Sequence, residues 1–300
     1  MSSLAASTIA AELDPPIIEL VPPRPTSPLI LSSPHSGNVY PQSFLAASRL
    51  DARRLRKSED CFVDELVSGA VGHGVPVLAA RFPRAYLDVN REPYELDPGL
   101  FREPLPDYAN TQSLRVVGGF GTLARVVSES EEIYRAPLKV ADALARIDAL
   151  YLPYHEALRR LIETTRRRVG SAILLDCHSM PSATGSNGRG GRADIVIGDR
   201  FGASADGKIV DALKTAFSAM GFECVMNRPY AGGFITEHYG RPALSVHAVQ
   251  IEINRGLYMD EATLEKLPCF AEVRDRLVRA LGEFAGSSSN QLQPPRLAAE

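Results

Sequence analysis

The chain has 300 residues, 45% of them hydrophobic and 23% charged. That composition suits a packed core in one large α/β domain or two small ones. A net charge of −3 and a sequence pI of about 6.1 argue against a general nucleic-acid binder. No apolar run approaches the roughly 20 residues that cross a bilayer. The N-terminus also lacks the basic and apolar regions of a secretory signal.

Residues 1–27 contain Pro15, Pro16, Pro22, Pro23 and Pro25 and read as an irregular segment over the surface. Pro28–Ser33 reads as a short strand ending in Pro34-His35-Ser36-Gly37, with Gly37 permitting a sharp turn. Apolar spacing from Leu50 to Val71 predicts a helix with Ser58 as its cap and Glu59 and Asp60 in its first turn. Val75–Ala80 is a strand candidate, and Glu92–Gly121 is a long loop of the kind that is often functional. Val140–Val169 predicts a long helix capped or kinked at Pro153. Ala172–Pro181 reads as a buried strand running into Asp176 and His178. Beyond it come a polar loop over Pro181–Arg192, a strand at Asp194–Gly198, a helix at Gly207–Met220 and a strand at Phe222–Met226. Then follow a Gly-rich stretch over Asn227–Pro242, a strand at Ser245–Ile253, a helix at Asp260–Phe284 and a flexible tail from 286. Strands alternating with helices imply one α/β domain over 28–285 with a mostly parallel or mixed sheet. Neither a GxGxxG fingerprint nor a Walker A loop is present, which lowers the prior for a nucleotide enzyme.

The four cysteines, Cys61, Cys177, Cys224 and Cys269, are far apart and form no CxxC pair. They fit reduced thiols in a cytosol rather than a thiolate zinc site. The chemistry is read instead from two histidines at strand ends, His35 and His178. With an oxygen ligand from Asp60 or Glu59 they would leave one position for water, the arrangement of a hydrolytic zinc site. Asp176 can orient His178 or its surroundings. Such a site needs a carboxylate to move the proton of water. Glu252, in the apolar run Val249–Ile253, is the candidate base. The alternative for Glu252 is a buried salt bridge to an arginine such as Arg255.

Pro34-His35-Ser36-Gly37, Asp88-Val89-Asn90-Arg91, Asp176-Cys177-His178-Ser179 and the run from Val246 to Arg255, followed by Leu257–Glu261, together resemble the N-formylglutamate amidohydrolase family. The resemblance runs in order from about Ser33 to Glu261. It implies hydrolysis of an N-formyl or other small N-acyl amino acid, as in histidine degradation. It also implies a fold similar to the zinc carboxypeptidases and aspartoacylases (phosphorylase/hydrolase-like), with a mixed central sheet flanked by helices. By that likeness His35 and His178 are metal ligands, Asn90-Arg91 the pair for the substrate carboxylate, and Glu252 the base. The chain departs from the pattern at the acid. The peptidases carry it three residues after the first His, where this chain has Asn38, so the ligand is placed at Asp60, with Glu59 as the alternative.

The implied substrate is a small dianion, and a guanidinium binds a carboxylate through a two-pronged fork. Arg91 is therefore assigned to the α-carboxylate, and Arg228 to the second carboxylate or to loop structure. Gly232 and Gly233 allow backbone to approach a ligand or simply form a tight turn. Arg125 is a candidate for stabilising an oxyanion or a plain surface residue, while His238 and His247 read as structural. The expectation is a cytoplasmic enzyme with one Zn²⁺ and a small anionic substrate. Its rivals are a zinc peptidase or deacylase for another N-acyl amino acid and a non-catalytic binding module.

Overall fold

The structure is a computed structural model that describes residues 2–127, 131–184 and 193–291. Its elements in chain order are α1 (Ser2–Glu12), β1 (Ile17–Leu20), β2 (Leu29–Ser33), α2 (Gln42–Ala47), α3 (Ala52–Arg56), α4 (Val63–Ser68), β3 (Val77–Ala80), α5 (Leu114–Val117), α6 (Val140–Arg146) and α7 (Leu152–Val169). The second half adds β4 (Ala172–Met180), β5 (Ile195–Gly198), α8 (Gly207–Ala219), β6 (Cys224–Met226), α9 (Phe234–Tyr239), β7 (Val246–Asn254), β8 (Met259–Asp260), β9 (Glu265–Lys266) and α10 (Phe270–Gln291). None of the described helices is long and apolar enough to cross a membrane.

β2, β4 and β7 lie side by side in parallel, and all their residues are buried. Strands covered on both faces need near-continuous apolar runs, which Leu29-Ile30-Leu31 and Ala172–Leu175 supply. β5 pairs antiparallel with β7 and parallel with β6, so the sheet is mixed. With β1 and β3 the order is β1-β3-β2-β4-β7-β5-β6. α4 packs on β2 and β4, α9 on β4 and β7, and α10 on α4 and α8. This is the expected α/β fold, a mixed central sheet flanked by helices.

The backbone groups into two compact units, each drawn from three stretches of chain. The first comprises Met1–Ile18, Pro34–Cys61 and Ala79–Leu158. It contains α1 packed on α6 and the Asp88–Arg91 segment. The second comprises Glu19–Ser33, Phe62–Leu78 and Arg159–Glu300, with β2, β4, β5, β6 and β7.

Several local expectations are corrected. Residues 1–27 are not irregular, because the Ala/Ser-rich start forms α1 before the first proline. β1 fits between Pro16 and Pro22 at the sheet edge, where missing N–H donors are tolerated. The helix over Leu50–Val71 is broken in two. Asp51 caps α3 by accepting from Arg54 N at 2.8 Å, and Phe62, at a φ of 65°, precedes α4. Ser58 caps neither; its hydroxyl donates to Leu55 O at 2.9 Å. The chain opens there because Asp60 N donates to His35 O at 3.0 Å, outside any helix.

At Pro153 the expected break is a π-helical turn, Ile147–Tyr151, between α6 and α7, which accommodates a residue that cannot donate to its preceding turn. The last helix begins at Phe270, not Asp260. Asp260 Oδ1 instead accepts from Ala262 N and Thr263 N at 2.8 and 2.9 Å, starting the β8–β9 turn. α10 then continues to Gln291, so the expected tail from 286 is helical at its start, and 292–300 lie outside the described residues. Residues 185–192 of the expected polar loop also lie outside them.

Alternation along β7 puts His247 on the face opposite Glu252. His247 Nδ1 accepts from Asp206 N at 3.2 Å, and Asp206 in turn caps α8 through Lys208 N at 2.8 Å. Burial pushes the His247 pKa down, against a smaller upward pull from Asp206. A His whose folded pKa lies below its unfolded value of about 6.5 leaves stability intact above that pH. As pH falls below it, the unfolded chain takes up the proton first and stability declines. Urea midpoints measured from about pH 7.5 down to about pH 5.5 are therefore expected to fall less in His247→Asn, which keeps an acceptor at the helix start, than in the wild type. Identical slopes for the two proteins would exclude His247 as a source of the decline.

Candidate active site

In the first unit the site residues gather around His35. Pro34-His35-Ser36-Gly37 follows β2 as a fully buried turn. Gly37 does not adopt a positive φ. It is required because a Cβ there would sit 2.2 Å from Phe82 O. His35 Nε2 pairs with Asp88 Oδ1 at 2.7 Å, and His35 Nδ1 lies 3.5 Å from Asp60 Oδ2. Asp88 also accepts from Arg84 Nη2 at 2.9 Å and from Asn90 N at 2.8 Å. Burial opposes charge on Asp88, but Arg91, His35 and Arg84 outweigh it and hold its carboxyl well below the usual range. A carboxylate fixed on one imidazole nitrogen sets the tautomer and aims the other nitrogen. Glu59 turns to different partners. It accepts from Tyr40 OH at 2.5 Å, Arg56 Nε at 3.1 Å and Cys61 Sγ at 3.3 Å.

Arg91 is held by three groups. Its Nε donates to Phe120 O at 2.9 Å and its Nη1 to Asn90 O at 2.7 Å, while Nη2 lies 3.6 Å from Asp88 Oδ2. A guanidinium carries five N–H groups, of which two are accounted for by these hydrogen bonds to Phe120 O and Asn90 O. The segment's backbone is fixed as well. Tyr151 OH donates to Arg91 O at 2.7 Å, and His155 Nε2 lies 2.9 Å from Val89 O. Tyr151 ends the π-helical turn, and His155 follows it in α7. Asn90 is buried beside Arg91.

In the second unit, β4 carries Asp176 and His178 on one face, and His178 Nε2 pairs with Asp176 Oδ2 at 2.9 Å. His178 lies within β4 rather than past its end. The parallel register sets Asp176 beside Gln250 and His178 beside Glu252. Glu252 Oε1 accepts from Gln250 Nε2 at 2.8 Å. Arg255 Nε donates to Ser179 Oγ at 2.9 Å. His35, Asp60 and His178 are all buried and of the types that ligate metals.

The family model described as N-formylglutamate amidohydrolase matches residues 27–259. This chain belongs to that family. It is 30% identical over 237 residues to an N-formylglutamate deformylase of Pseudomonas putida, a match covering 78% of this chain and 82% of the relative. A deformylase of the same name from Pseudomonas aeruginosa is 29% identical over 237 residues, covering 78% and 83%. The crystal structure of an N-formylglutamate amidohydrolase from Ralstonia eutropha JMP134 superposes at a TM-score of 0.86 with 33% identity, covering 92% of this chain and 99% of that one. Membership makes the chain a hydrolase of amide bonds.

Other residues of this amidohydrolase singled out from sequence fall in different places. Arg228 is exposed, after Asn227, whose side chain bonds Asp199 N at 3.0 Å and Asp199 Oδ1 at 2.7 Å. Arg125 is engaged by Asp97 at 2.6 Å, and His238 stacks on Phe234 with ring centres 5.0 Å apart. Sequence reasoning gave no role to Asp88 or Gln250. For Asp88 the available signal was its offset of two residues from Asn90; for Gln250 it was a polar residue sharing the strand face of Glu252.

Because the backbone of Phe82 blocks any side chain at position 37, Gly37→Ala is expected to lower stability by about 1–3 kcal/mol, read as a urea midpoint shift. An unshifted midpoint would show that the turn carrying His35 can yield.

Proposed function

We propose that this chain hydrolyses N-formyl-L-glutamate to formate and L-glutamate, using a zinc ion held by His35, Asp60 and His178. Family membership across residues 27–259 carries the reading, because both curated relatives are named for that deformylation. The donor set fits the ion. Two imidazoles and one carboxylate are a usual catalytic zinc set that keeps a position open. Each imidazole also has a carboxylate on its Nε2, Asp88 for His35 and Asp176 for His178, so Nδ1 would be the atom each offers to the ion. Asp60 is preferred to Glu59 because Tyr40, Arg56 and Cys61 already engage Glu59.

When bound, the ion supplies Lewis acidity, polarising the formyl carbonyl and lowering the pKa of water. The chain's own residues do the rest. Arg91, aided by Asn90, pairs with the α-carboxylate and orients the amide. Arg228, exposed on its loop, takes the side-chain carboxylate. Glu252 accepts a proton from the attacking water as its oxygen bonds to the formyl carbon. It then delivers that proton to the amide nitrogen as the C–N bond breaks, releasing formate and the amine of glutamate. Gln250 donates to one oxygen of Glu252 and so restrains the direction of its carboxylate.

Formate release on a panel of N-formyl and N-acetyl amino acids, with metal content measured by mass spectrometry, tests the reading. N-formyl-L-glutamate should be turned over fastest, with about one zinc per chain. A preference for N-acetyl substrates would move the activity to a deacylase, and turnover unaffected by complete zinc removal would end the metal assignment. Glu252→Gln is expected to keep bound zinc while kcat falls by about 10²–10⁴-fold; a kcat near wild type would remove Glu252 as base. Arg91→Lys should chiefly raise KM, since a point charge replaces a fork, and an unchanged KM counts against its carboxylate role.

A further inference from the structure

Gln250 is buried in β7 between Val249 and Ile251, and its side-chain amide meets partners of opposite kind at its two ends. Gly233 N donates to its Oε1 at 2.7 Å, and its Nε2 donates to Glu252 Oε1 at 2.8 Å. A backbone N–H can be met only by the amide oxygen, so Gly233 decides which end of the amide faces Glu252. It is the NH₂ end. The last torsion of a glutamate side chain is broad and soft, and a fixed donor on one oxygen restrains it.

The loop that supplies Gly233 is itself built to lie against this strand face. β5 runs antiparallel to β7 with Gly198 opposite Gln250. A Cβ on Gly198 would sit 2.7 Å from the Ala231 carbonyl carbon, so only glycine lets the loop approach. Arg200 N then donates to Ala231 O at 2.7 Å, and Gly232 turns the chain with a φ of 131°. Glycines that read from sequence as a ligand approach or a plain turn thus place one backbone N–H on Gln250.

We propose that Gln250 is a positioning residue for the reaction, transmitting the placement of the Ala231–Gly233 loop to the carboxylate of Glu252. The proposal rests on the reading of Glu252 as the base. It requires that loss of the Gln250 amide slow turnover through Glu252 and leave substrate binding alone.

The experiment is steady-state kinetics on N-formyl-L-glutamate for Gln250→Met and Gln250→Glu, each alone and combined with Glu252→Gln, with unfolding midpoints measured in parallel. Gln250→Glu keeps the shape of the side chain and carries the test should the methionine variant fail to fold. Each single variant is expected to lose about 10–100-fold in kcat, with KM within about twofold of wild type. In the Glu252→Gln background neither should cause further loss, because residues acting as one unit are not additive. A near-normal kcat, a change confined to KM, or a loss that repeats in full in the double variants would overturn the proposal. If Glu252→Gln alone keeps its kcat, the base reading fails first; if it loses kcat while the Gln250 variants do not, only the present inference fails.

Discussion

Buried ionisable groups must be paired, and that constraint organises the candidate residues within each unit. An isolated charge in a low-dielectric interior is too costly to keep. His35 is therefore found with Asp88, His178 with Asp176, and Glu252 with the amide of Gln250. The carboxylates are supported in turn, Asp88 by Arg84 and the Asn90 amide, Asp176 by the Ser32 hydroxyl at 3.2 Å. Each pairing also fixes the direction of a side chain, so the hydrogen bonds that burial requires also set side-chain orientation.

The same logic distinguishes the two neighbouring acids at 59 and 60. Glu59 has a phenol, a guanidinium and a thiol around it. Asp60 is directed towards His35 from a stretch where the helix has been interrupted, its own N–H bonded to the His35 carbonyl. An uninterrupted helix through these residues would point consecutive side chains about 100° apart on its surface. The break allows them to serve separate networks.

What was legible in the sequence follows from what is local. The apolar runs at 29–31 and 172–175 mark strands because both faces of those strands are buried, and the spaced motifs identified the family because they recur in order along most of the chain. Illegible features depend on distant partners. Nothing near Gly37 announces the Phe82 carbonyl against it, and nothing near Gly198 announces Ala231. The helix expected over Leu50–Val71 fails because His35 takes a backbone donor from it. The helix expected from Asp260 is displaced by a short polar turn whose carboxylate competes for backbone N–H groups. Glu252 could be placed on a polar strand face from alternation, but the loop that reaches its neighbour comes from about twenty residues upstream, beyond any periodic signal.

The discontinuity of the two units has a consequence for biosynthesis. All three stretches of the first unit have been made once Leu158 is added. The second unit begins with Glu19–Ser33 but depends on chain that starts at Arg159. β2 is thus translated well before β4, its parallel neighbour, exists. At a synthesis rate of about 5–20 residues per second, the Leu29-Ile30-Leu31 segment, with β3 already made for one side, waits on the order of ten seconds or more for the strand that covers its other side. During that interval a short, uncharged, strand-forming segment is open to chaperones and to copies of itself on neighbouring nascent chains. The arrangement that buries the central strands on both faces therefore makes the newborn chain vulnerable at its N-terminal end.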